Sequence, residues 1–185
     1  PELVDVHDFP DDAVGKAIPY GVYDVVDNSA FVAVGIDHDT AAFAVASIET
    51  WWKRMGSNRY PGAREIHISA DAGGSNANRS RLWKTELQRL ADKLGISFHV
   101  SHYPPGTSKW NKIEHRLFSF ITMNWRGRPL RTFEAVVNLI GATTTSDGHV
   151  VRAAIAKRKY PTGIAIYAAE MATHRIERAE LQGDA

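Results

Sequence analysis

Two β-branched and aromatic runs, Gly21–Asp27 and Ala30–Asp37, flank Asn28-Ser29, and this pairing constrains the fold more than any other local feature. Asparagine tolerates the left-handed backbone of a tight turn, so the pattern predicts an antiparallel hairpin. Beyond it the apolar period changes from two to 3.6. Asp39 or Thr40 caps a helix running to about Met55, with Val45, Ile48, Trp52 and Met55 on one stripe. Trp51-Trp52 reads as core and rim. Ile66–Asp71 is a short strand. A helix follows from Ser80, burying Trp83, Leu87, Leu90 and Leu94, and Gly95 stops it. Ile96–Tyr103 is the next strand, with Ile96, Phe98 and Val100 alternating. Pro104, Pro105 and Gly106 end it, and a helix from Ser108 to Trp125 carries Ile113, Leu117, Phe120, Ile121 and Asn124 on one face. Thr132–Ile140 predicts another helix, the stretch from Gly141 to Tyr160 reads as less ordered, and a short helix falls around Ala168–Glu177. An antiparallel hairpin followed by strands joined through helical crossovers gives an α/β class: a mixed sheet flanked by helices.

The chain of 185 residues suits one domain with a real core. We read residues 1–19 as an acidic extended arm, 20–145 as the core and 146–185 as a basic C-terminal extension. No run approaches the ~18 apolar residues of a membrane span, and no signal peptide opens the sequence. Cysteine is absent, which excludes disulfides and thiolate metal sites and is compatible with a cytoplasmic setting. The net charge of +1 does not by itself point to a polyanion, and its distribution says more. Lys109, Lys112, Arg116, Arg126, Arg128 and Arg131 gather around the 108–125 helix, which reads as either a solvated face or a phosphate-backbone track.

Two carboxylates carry the chemistry. Asp71 closes a strand and is followed by Ala-Gly-Gly-Ser-Asn, at the kind of strand end where ligands gather in sheets with helical crossovers. Glu114 borders the apolar stripe of its helix, where a carboxylate is costly to desolvate without a positive partner. If the Asp71 and Tyr103 strands share a sheet, the helix after Pro105 can pass back across it and set Glu114 near Asp71. Hard oxygen ligands so placed suit Mg²⁺ or Mn²⁺ and phosphodiester chemistry, which wants at least three acidic ligands. Asn76 and His115 are candidates to orient groups around such an ion. Asp24, Asp27 and Asp37 read as turn or edge aspartates. The eight histidines form no paired-His helix, and His99 and His102, three apart on a strand, face opposite sides. Lys109, Lys112, Arg116 and Arg126 are the candidate phosphate contacts, and Trp110 is read as a packing residue rather than a stacking one.

Val6-His-Asp-Phe-Pro, Pro19-Tyr-Gly-Val-Tyr-Asp, His38-Asp-Thr-Ala, Ala70-Asp-Ala-Gly-Gly-Ser-Asn and Thr107-Ser-Lys-Trp-Asn-Lys-Ile-Glu-His resemble the Rhodopirellula-type DDE transposases of bacterial insertion sequences. The resemblance covers nearly the whole chain and implies a ribonuclease-H-like fold, with Asp71 as the second catalytic carboxylate and Glu114 as the third. It also implies divalent-metal-dependent cleavage and joining of DNA at transposon ends, with DNA and further copies of the chain as partners. The family's first aspartate lies on its first strand, in a Val-Asp-Thr-Lys-Lys-like context that nothing here matches. The expectation is therefore a core lacking its first strand, with impaired catalysis. A non-catalytic DNA-binding or oligomerisation fragment is the alternative, and a general metal-dependent nuclease a third reading.

Overall fold

The hairpin forms around Asn28, whose φ of 54° is the left-handed backbone the turn requires. In the computed structural model, which describes residues 16–104, 106–107, 110–125, 132–143 and 150–177, strands β1 (Ile18–Asp24) and β2 (Ser29–Gly35) pair antiparallel. The register runs from Ile18 opposite Gly35 to Asp24 opposite Ser29. The turn is longer than the sequence suggests. The Asp24 carboxylate accepts from the N–H groups of Val26 and Asp27, both at 3.0 Å, and so takes them out of the ladder. Tyr60 donates its hydroxyl to the same carboxylate, and Asp27 pairs with Arg59. Asp37 accepts from the Tyr160 N–H and contacts His38. These three aspartates are structural.

Every residue of β2 is buried, because both of its faces are covered. Phe31 and Ala33 face α1 (Ala41–Trp51), which Thr40 caps by accepting from the Phe43 N–H. Ala30, Val32 and Val34 face Leu117, Ile121, Val136 and Ile140, which belong to the helical segment ending in α4 (Ser119–Trp125) and to α5 (Phe133–Gly141). Trp51 and Trp52 are both in the core, where α1 passes through a wide turn, Trp52–Gly56, into the short α2 (Ser57–Arg59). On the far edge of β2 lies β5 (Val150–Ala156), paired in parallel. The sequence predicts an irregular stretch here. Its small Ala153, Ala154 and Ala156 blur the apolar alternation that usually marks a strand.

A second, two-stranded parallel sheet holds β3 (Glu65–Ala70) and β4 (Ser97–His102), joined through α3 (Arg81–Leu94). Ser80 caps α3 by accepting from the Trp83 N–H, and Gly95, at φ 66°, stops it. Ile68, Phe98 and Val100 face α1 and α3, whereas Glu65, His67, Ser69, Ser97, His99 and Ser101 face solvent. Among the described residues no ladder joins β1 to β3, so the two sheets meet at a seam. Helix α1 roofs that seam, since Ala44, Val45 and Ile48 pack in one cluster with Tyr20 and Val22 of β1 and Ile68 of β3. The Tyr20 hydroxyl crosses it directly, donating to Asn76 Oδ1 at 2.8 Å. The architecture is a mixed α/β fold with a mixed sheet and flanking helices, consistent with a ribonuclease-H-like domain. Beyond β5, a four-residue helix, α6 (Ala168–Met171), is shorter than the sequence predicts. No described helix is long and apolar enough to cross a membrane.

Candidate active site

Asp71 is the first residue past β3, and the chain then bends through Ala72 and Gly73 into a tight turn at Gly74–Asn76. Its carboxylate therefore stands at the carboxyl end of the strand, and Asn111 Nδ2 reaches it at 3.4 Å. Glu114 arrives on the helical segment that follows β4 and packs against the β1–β2 sheet. It opens a π-helical turn, Glu114–Phe118, that leads into α4. The neighbouring side chains seat this turn on β1 at Gly21, where an added Cβ would lie 2.9 Å from Phe118 Cζ, 3.0 Å from Ile113 Cδ1 and 3.2 Å from Leu117 Cδ2. Glycine here lets the helix come down onto the strand backbone. The wide turn loosens the regular ladder, and side chains take up its carbonyls: Ser119 Oγ donates to His115 O at 2.6 Å and Thr122 Oγ1 to Phe118 O at 2.8 Å.

The charge of Asp71 reaches Glu114. Partial burial pushes the Glu114 carboxyl above the usual carboxylate range, the negative charge of Asp71 pushes it further, and His115 pulls the other way. Two mutually repelling oxygen donors at a strand end are the donor set that a hard divalent cation relieves. Oxygen donors of this kind are compatible with a divalent cation. A family model described as the Rhodopirellula transposase DDE domain matches residues 1–184. The chain belongs to this family. No curated protein and no solved structure matches it.

The other sequence candidates of this DDE domain divide. Lys112 and Arg116 are exposed on the helix that carries Glu114, and His115 is exposed beside them. Lys109 and Arg126 lie outside the described residues. The side-chain oxygen of Asn76 accepts from the Tyr20 hydroxyl at 2.8 Å, and its backbone carbonyl meets His102 Nε2 at 2.8 Å, which braces the loop after Asp71. Trp110 does not pack into the core as expected. It is 60% exposed, and its N–H donates to the Thr107 carbonyl at 2.8 Å ahead of the helix.

Two further polar residues near the site escaped the sequence reading. Asn111 falls off the apolar stripe of the expected 108–125 helix and so carries no mark, although it lies inside the Thr-Ser-Lys-Trp-Asn block. Asp39 was weighed only as a helix cap, a task that falls to Thr40. Its Oδ2 instead faces Gly74, three residues beyond Asp71, and its charge joins burial in pushing the Tyr20 hydroxyl pKa strongly upward. Tyr20 thus stays protonated and able to donate across the seam.

Proposed function

We propose that this DDE domain holds a divalent cation, Mg²⁺ or Mn²⁺, with Asp71 and Glu114 and that its reaction is DNA strand cleavage and joining at transposon ends. The observation that supports this reading is the electrostatic coupling of two carboxylates that are remote in sequence. When bound, such an ion supplies Lewis-acid polarisation of a phosphate oxygen and lowers the pKa of bound water. Asn111 steadies the Asp71 carboxylate, and the Gly21 seat fixes the height of the Glu114 turn over β1. Lys112 and Arg116 neutralise DNA phosphates, with Lys109 and Arg126 extending the same track in sequence. His115 orients a phosphate or a water. Water is the first nucleophile, and the liberated 3′-hydroxyl then attacks target DNA, with more than one copy of the chain engaging the two ends.

The test is Mn²⁺-dependent nicking of a supercoiled plasmid carrying terminal repeats, run beside Asp71→Ala and Glu114→Gln. Nicking lost in both variants is the expected result; nicking unchanged in either one refutes the assignment. Strand joining with preference for the repeats separates transposition from general nuclease action. A second reading, a DNA-binding module without catalysis, is favoured by one observation: the chemistry takes at least three acidic ligands, and Asp71 and Glu114 supply two. Salt-sensitive DNA binding without nicking would select it.

A further inference from the structure

We infer a second cation site on the outer face of the β3–β4 sheet, formed by Glu65, His67 and His99 and suited to a borderline, nitrogen-preferring divalent ion of the zinc, cobalt and nickel class. Parallel pairing sets His67 directly opposite His99, and the period of two puts Glu65 on the same face, two residues before His67. The imidazole rings stack with centroids 4.6 Å apart and an interplanar angle of 13°. Glu65 Oε2 lies 3.8 Å from His67 Nε2 and 3.7 Å from His99 Nε2. All three donor atoms fall within 4.8 Å of one another.

The distances argue for a cation rather than for hydrogen bonds alone. Both Glu–His separations exceed the roughly 2.7–3.2 Å of a hydrogen bond. A tetrahedral ion with bonds of about 2.0–2.1 Å spaces its donors about 3.4 Å apart, so the cluster closes onto it by small side-chain rotations. Two imidazoles and one carboxylate select zinc-class ions over magnesium, which favours all-oxygen surroundings. The site is also open. The side chains of Glu65, His67 and His99 are 61%, 77% and 51% exposed, leaving the remaining coordination positions to water or to a ligand from another molecule.

This site is separate from the one at Asp71, which lies just past β3 and four residues beyond His67, about 13 Å at the usual strand rise. Its ion would clamp the two strands whose far ends lead to Asp71 and to the Glu114 helix. Sequence reasoning passed over it because it compared His99 with His102 along one strand. The pairing that matters is between strands.

The experiment is a Co²⁺ titration of the full chain followed by visible absorption, with Zn²⁺ competition, on the wild type, on Asp71→Ala/Glu114→Gln and on His67→Ala/His99→Ala. The structure predicts saturable uptake with imidazole-type absorption that survives in the carboxylate variant. It also predicts affinity weakened roughly tenfold or more in the histidine variant. Zn²⁺ should raise the melting temperature of the wild type and leave the histidine variant where it stands without metal. Because the altered histidines are exposed, their variant should melt with the wild type in chelator, which separates ligand loss from misfolding. Absence of saturable uptake, uptake indifferent to the histidines, or uptake lost with Asp71 and Glu114 would overturn the proposal.

Discussion

Replacing Gly21 with alanine tests how Glu114 is held. The added methyl would meet three side-chain atoms of one helical segment at 2.9, 3.0 and 3.2 Å, against the roughly 3.5–4.0 Å at which carbon atoms pack best. Leu117 is fully buried and has little room to retreat, so the methyl is accommodated by turning the ends of the part-buried Phe118 and Ile113 or by lifting the segment from β1 by about 0.5 Å. Overpacking of this kind costs about 1–3 kcal/mol, and the gain from removing a strand glycine offsets about 0.5–1 kcal/mol of it. The net loss of about 1–2 kcal/mol should lower the melting temperature by roughly 2–8 °C in a chain of this size. Gly73→Ala is the control, since that glycine has φ −109° and no atom within 4 Å of an added Cβ. Thermal and urea unfolding measure the cost, and Mn²⁺ titration reads the displacement of Glu114 as weakened affinity. A Gly21→Ala protein as stable as Gly73→Ala, with unaltered Mn²⁺ affinity, would show that the Glu114 helix is not seated on β1.

Glu114→Gln should be more stable than the wild type at pH 7 without metal. The folded-state pKa of Glu114 is raised, so its ionisation costs stability above the carboxylate range; the difference should shrink as pH falls through the raised folded-state pKa and be gone below the unfolded value of about 4.3. Urea unfolding between pH 4 and 8 checks this, and Mn²⁺ should reverse the order by stabilising only the wild type. Ser80→Ala removes the N-cap of α3 and should cost about 1 kcal/mol, seen as a lower urea midpoint with unchanged slope. Lys112→Ala should weaken DNA binding uniformly across sequences and reduce the dependence of log affinity on log salt by about one; an unaltered slope would remove Lys112 from the phosphate track.

Much of the scaffold could be read from local chemistry. Ser80 and Gly95 bound α3 because capping and left-handed termination are written in single residues, and Asn28 marks the hairpin for the same reason. Strand β5 was hidden by its alanines, which carry little periodic signal. Asp71 and Glu114 were legible as candidates from strand-end and helix-border positions, but Asn111 was not, because its reach to Asp71 depends on how a turn outside any regular element is folded. The π-helical turn at Glu114 was equally invisible, since the same residues satisfy an ordinary helical stripe. The His67–His99 contact depends on the register between strands that α3 separates in the chain, and no local spacing encodes it.

The seam between the sheets gives the carboxylate pair two separate foundations. Asp71 rides on the β3–β4 unit and Glu114 on the unit built around β2, and among the described residues no strand ladder joins the two. A cation bridging them would act as a bolt between two plates, coupling α1 repacking and the Tyr20–Asn76 contact to the electrostatics of the chemistry. Hydrogen exchange would register it as two halves that open independently without metal and together with it.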